Sequence, residues 1–157
     1  MNIHDSLFAE KVVAPDSLQE LLPAENPPPG FGQGVQEIVG AGGALGAIAR
    51  YGLTVGVAKL VSPSVPWGVL TVNVLGSLLM GGLAGIGESR HVFTTEQRLF
   101  LFVGILGGFT TFSSITNDTF ALLRAENYLG ALANVGLSLA LGLAAVAVGF
   151  VVGRTGA

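Results

Sequence analysis

Asn73 and the stretch from Gly107 to Ser114, GGFTTFSS, hold the groups in this sequence best suited to chemistry. The Asn73 amide supplies two N–H donors, and the hydroxyls of Thr110, Thr111, Ser113 and Ser114 supply more. The ring edges of Phe109 and Phe112 carry partial positive charge. Such groups suit an anion. A broken backbone at the glycine pair would expose carbonyl oxygens, which suit a hard cation such as Na+. No charge falls between Arg98 and Asp118, and the midpoint of that run is Gly108. The glycine pair is therefore expected near the centre of a bilayer. Non-helical backbone survives at that depth only where it is buried in protein or lines water. The bland alternative is a kinked, Ser/Thr-rich packing helix.

Other polar residues recur at helical spacing in apolar surroundings. Asn73, Ser77, Gly81 and Gly85 are four apart, as are Asn134 and Ser138. An amide in lipid must find a partner, so Asn73 is expected to face another helix or a pore; interhelical glue is the competing reading. Arg50 follows Gly42 and Gly46 on one helix face, and Gly52 and Gly56 form a second small pair. The glycines read as packing surfaces. An intramembrane Arg costs at least about 2.5 kcal/mol, so Arg50 is expected to face protein or water or to reach the interface. Asp118 lies four residues after Ser114 and is expected on the same face, toward one mouth.

These side chains need a membrane to explain them. Of 157 residues, 50% are hydrophobic and 11% charged, against about 25% charged in soluble domains. Mean hydropathy is +0.68. Four apolar segments follow a polar start: 35–59, a stretch from Trp67 to Gly87, 97–123 and 127–153. Each reaches the roughly 20 residues a spanning helix needs. The expected fold is an all-α integral membrane unit of four transmembrane helices, broken in the third, with residues 35–157 as the membrane domain. Residues 1–34 are Pro-rich and acidic and read as a disordered extension, in which DSLQELL could form a short amphipathic helix. The sequence lacks a basic cluster for nucleic acid and has no cysteine. VQEIVGAGGALGA mimics a dinucleotide fingerprint, but no acid follows Glu37 until Glu88, and no βαβ unit is available. No span holds a histidine or paired acids, so an enzyme is not expected.

Orientation is poorly specified. With four spans, Arg90, Arg98 and Arg154 lie on one side, while Lys59 and Arg124, with Arg50 nearer that end, lie on the other. The positive-inside comparison is almost balanced. A weak bias toward one orientation and insertion in both orientations remain open. The second would permit an antiparallel dimer.

GGALGAIARYG, WGVLTVNVLGS and GILGGFTTFSS, in that order, resemble the Fluc/CrcB fluoride channels over residues 36 to about 154. The resemblance implies a passive fluoride channel of the cell membrane, multi-pass, that relieves fluoride toxicity. It implies an antiparallel dual-topology dimer with a structural Na+ at its centre, held by the backbone carbonyls of Gly107 and Thr110. It further implies a fluoride pathway through Asn73, Phe112, Ser113, Ser114, Asn134 and Ser138, with Arg50 near the vestibule. Two residues depart from the family pattern. Ile115 stands where a second phenylalanine is expected, and Asp118 replaces a glutamate. A homodimer is the simplest partner arrangement, and a paralogous subunit carrying the missing ring is the other. The competing functions are a four-helix drug/proton exporter, which would need a carboxylate in the first span, and a non-transporting membrane subunit.

Overall fold

The prolines at positions 27–29 cannot donate helical hydrogen bonds, and the first described helix lies just beyond them in sequence. In a computed structural model, which describes residues 31–61 and 66–156, α1 runs Phe31–Ala58 and α2 runs Trp67–Arg90. α3 comprises an α-turn Thr95–Arg98, a π-helical stretch Leu99–Leu106 and a last α-turn Gly107–Phe109. α4 is Phe112–Arg124 and α5 is Tyr128–Thr155. α3 and α4 together form the third span, so among the described residues four spans are long and apolar enough to cross a membrane. α1 starts four residues before the apolar run at Val35. The proposed DSLQELL helix lies outside the described residues.

Local chemistry sets the ends of these helices. α2 starts behind Pro66 and closes at His91, whose left-handed backbone (φ 51) donates its N–H to Gly87 O at 3.0 Å. α3 opens on a capping box, in which Gln97 N–H donates to Thr94 Oγ1 (3.2 Å) and Thr94 N–H to Gln97 Oε1 (3.0 Å). α5 opens on Asn127, whose side chain accepts from Gly130 N–H at 2.9 Å.

Small residues let the spans touch backbone to backbone. On the α2–α5 seam, methyl groups on Gly81 and Gly85 would overlap the carbonyls of Val146 and Phe150. From the other side, methyls on Gly149 and Gly153 would overlap those of Leu78 and Gly82. A second seam joins α1 to α3. Gly42 and Gly46 abut the carbonyls of Phe100 and Ile105, while Gly104 and Gly108 abut Val39 and Gly43. The packing reading of Gly42 and Gly46 therefore holds, and Gly81 and Gly85 pack in the same way. Gly52 and Gly56 differ, because their added methyls would meet nothing within 4 Å in the chain.

The two seams meet at the break in the third span, where Gly76 of α2 lies against Phe109 and Thr110. α4 leaves this point and packs along α5. Large apolar side chains such as Leu45, Ile48, Leu132 and Leu143 remain exposed, as lipid-facing positions should. Val72 is the largest fully buried side chain among the described residues.

One expectation needs correction. The glycine pair is not itself the break: Gly107 is helical (φ −63, ψ −39), and Gly107–Phe109 completes an α-turn. The chain departs from helix at Thr110 (ψ 154) and Thr111 (ψ 118). Gly108 serves instead as close contact with Gly43, and the flanking threonines supply the side chains that stabilise an extended backbone.

Candidate functional site

The break is held open by side chains that replace missing helical bonds. In a continuous helix, Thr111 N–H would donate to Gly107 O. Here it donates to Asn73 Oδ1 at 2.8 Å, and Asn73 Nδ2 donates back to Thr111 O at 3.2 Å. One amide from α2 thus satisfies both backbone groups of Thr111. The second diversion is local. Ser114 N–H, whose helical partner would be Thr110 O, donates to Thr111 Oγ1 at 3.2 Å and so caps α4. Thr111 Oγ1 also lies 3.1 Å from both Ser113 Oγ and Ser114 Oγ. Thr110 is tied back to α3, with its N–H and its hydroxyl both donating to Leu106 O at 2.9 Å.

Two half-helix ends with opposite polarity result. The C-terminal end of α3 presents carbonyls stripped of their helical donors, including those of Gly107 and Thr110. The N-terminal end of α4 presents the N–H groups of its first turn, at the positive end of its dipole. Asn73 sits at the junction. One of its two Nδ2 hydrogens goes to Thr111 O, and the other has no partner among the described residues.

Cavities open on two sides of α4. One, about 210 Å³, is lined by Arg50, Tyr51, Thr54, Val72, Thr111 and Ser114. It brings Arg50 of α1 toward the capped start of α4, and no acidic group within salt-bridge reach neutralises Arg50 among the described residues. The other, about 420 Å³, lies between α4 and α5 and is lined by Phe112, Ile115, Thr119 and Ser138 among others. Its walls are apolar except for hydroxyls. Ser138 is 8% exposed, and its hydroxyl has no hydrogen-bond partner among the described residues.

Asn134 fastens this second wall. It is 2% exposed and donates to Thr119 Oγ1 at 2.9 Å and to Ile115 O at 3.3 Å. Thr119 Oγ1 in turn donates to Ile115 O at 2.7 Å. Asp118 presents one buried carboxylate oxygen without a partner among the described residues.

The residues singled out by sequence therefore fall into three groups rather than one chamber. Arg50 and Ser114 share the first cavity. Phe112 and Ser138 share the second, with Asn134 bonded behind its wall. Asn73, Gly107 and Thr110 sit at the break itself. Ser113 and Phe112 are exposed on the single chain, Phe112 to 72%, and Gly107 is exposed as well. Two residues were missed as structural agents, Thr111 and Thr119. Thr111 carried a readable signal, a threonine directly before a new helical start, which is N-cap chemistry. Thr119 carried a weaker one, its one-turn spacing from Ile115.

The profile of a family described as CrcB-like protein, Camphor Resistance (CrcB), matches residues 37–150. The chain belongs to this family. It is 51% identical over 111 residues to the fluoride-specific ion channel FluC 2 of Symbiobacterium thermophilum, covering 71% of this chain and 90% of that one. It is 44% identical over 113 residues to the fluoride-specific ion channel FluC of Parabacteroides distasonis, with 72% and 88% covered. The FluC of Sorangium cellulosum is 39% identical over 116 residues, with 74% and 91% covered. The profile match contains all four spans' central segments, the break and both cavities. It does not reach the first 30 residues.

Proposed function

We infer that the protein is a fluoride-selective channel of the cell membrane, carrying fluoride passively out of the cytosol and so protecting against its toxicity. The observation that carries this reading is the break: a half-helix N-terminus, the Asn73 amide and hydroxyls gathered in a membrane span. The names of the relatives support the same ion. Fluoride is small and strongly hydrated, so a pore must replace its water with several donors at once. It must also bind weakly enough to release. The Asn73 N–H, the hydroxyls of Ser113, Ser114 and Ser138, and the ring edge of Phe112 are such donors. Asn134 shapes the wall that Ser138 shares with Phe112. Arg50 beside the first cavity raises the local anion concentration.

What one chain leaves uncovered supports assembly as an antiparallel dimer. Phe112, Ser113 and Gly107 are exposed at the middle of a span. Hydroxyls and unpaired carbonyls at that depth require protein cover. A second copy inserted in the opposite orientation is the simplest cover and agrees with the balanced Lys and Arg distribution. Such a dimer would bring two copies of the break together. The carbonyls of Gly107 and Thr110, released from their helical donors, fit a Na+ ion held there, because hard cations take oxygen ligands and half-helix C-terminal ends favour positive charge. Bound there, the ion would supply fixed positive charge at the dimer centre.

Fluoride efflux from proteoliposomes holding the purified protein tests the function. Rapid fluoride efflux with little chloride flux is expected, and Asn73→Ala should reduce it. A verified dimer that passes no fluoride would sink the channel reading. A protein that conducts only after co-expression with a second, related subunit would replace the homodimer by a paired one.

A further inference from the structure

We propose that Asn73 and Thr111 are positioning residues for the cation at the break, acting by taking away the two amide hydrogens that would otherwise occupy its ligands. The inference rests on the cation reading above and adds the device that makes the ligands available. Gly107 O and Thr110 O are the oxygens whose i+4 donors are Thr111 N–H and Ser114 N–H. Those are the two amides seized by side chains, Asn73 Oδ1 at 2.8 Å and Thr111 Oγ1 at 3.2 Å.

Geometry reinforces the chemistry. In a helix, carbonyls point along the axis and into the next turn. At ψ 154, Thr110 turns its carbonyl away from that direction. Leu106 O, one turn back, receives both the N–H and the hydroxyl of Thr110 at 2.9 Å, so the end of α3 is anchored without using Gly107 O. The break is thus built from hydrogen bonds within one chain. The ligands are preorganised before an ion arrives.

The inference separates two jobs that sequence assigns to one residue. Asn73 has been read as a donor along the anion route. Its Oδ1 has a different task, accepting the Thr111 amide, and that task concerns the cation. Thr111, expected only as a hydroxyl donor, does the same work for Thr110 O from the N-cap of α4. The exposed location of Gly107 agrees, since a ligand shared between two chains must face outward from each.

The test reads cation binding, not flux. Unfolding temperature of the purified dimer is followed against Na+ at constant ionic strength, with N-methylglucamine as the replacement cation; a ligand that binds the folded state raises it with concentration. For the unaltered protein a saturable Na+ dependence is expected. Thr111→Val removes the acceptor while keeping shape, and Asn73→Leu removes the other. Each should raise the Na+ midpoint by about tenfold, the scale of one competing hydrogen bond. Thr111→Ser keeps the hydroxyl and should stay within about threefold. Unchanged midpoints in Thr111→Val and Asn73→Leu would overturn the positioning role and leave the cation itself standing. No Na+ dependence in the unaltered protein would overturn both.

Amide exchange in the unaltered protein keeps the proposal testable where a variant does not fold. The Thr111 and Ser114 amides should stay as protected as the neighbouring helix at low Na+, because their partners are side chains of the same chain. Selective loss of their protection would mean that the ion makes the break, and the proposal would be wrong.

Discussion

Replacing Ser138 by alanine should separate stability from transport. Its hydroxyl is buried and without a partner among the described residues, on a wall shared with Phe112 and Ile115. A buried unsatisfied polar group costs about 1–3 kcal/mol. Ser138→Ala removes that cost and nothing else visible in the fold, so stability should hold or rise by about 1 kcal/mol. Transport should respond oppositely. A hydrogen bond to a charged partner contributes about 1.5–3 kcal/mol, so losing this donor to a passing fluoride should slow flux by about 10- to 100-fold. The measurements are the unfolding temperature in detergent and fluoride efflux from proteoliposomes, made on the same preparation. A variant both less stable and normally conducting would refute the reasoning, since the hydroxyl would then have a structural partner and no ionic one.

Three further substitutions probe other parts of the argument. Gly153→Ala drives a methyl into the Gly82 backbone on the α2–α5 seam and should destabilise the protein by about 1–3 kcal/mol, less the about 0.5–1 kcal/mol that alanine gains in a helix. Gly136→Ala, with nothing within 4 Å of the added methyl, should leave the unfolding temperature level or raised; equal losses in the two would show that the seam is not tight. Arg50→Gln should lower fluoride flux at low ionic strength, and the deficit should shrink near 1 M inert salt, where the screening length is about 3 Å. A deficit independent of salt would assign Arg50 a packing role instead.

Much of the candidate site was legible because membrane burial makes polar residues conspicuous. Asn73, Asn134 and Ser138 stand out in apolar spans, and lipid forbids an amide without a partner. The spans themselves follow from length and hydropathy, which is why their ends lie within a few residues of expectation. The break was legible in place but not in cause. Glycines permit a break without requiring one, and at positions 107 and 108 they stay helical because close approach to α1 needs their small size. The π-helical stretch Leu99–Leu106 had no sequence signal, since its apolar residues would serve an α-helix equally well.

The sequence by itself determined that this is a four-span membrane protein with a polar interruption in its third helix. Water exclusion imposes those features on any chain with this pattern of apolar runs. The tertiary structure alone decided where the interruption falls and what holds it. A lost helical bond at mid-membrane must be replaced, and its replacement comes from residue 73, 38 positions away in the chain. Spacing within one helix cannot reveal a partner on another. The tight α2–α5 and α1–α3 seams bring that amide to Thr111, which diverts the Thr111 N–H from Gly107 O, as Thr111 diverts the Ser114 N–H from Thr110 O.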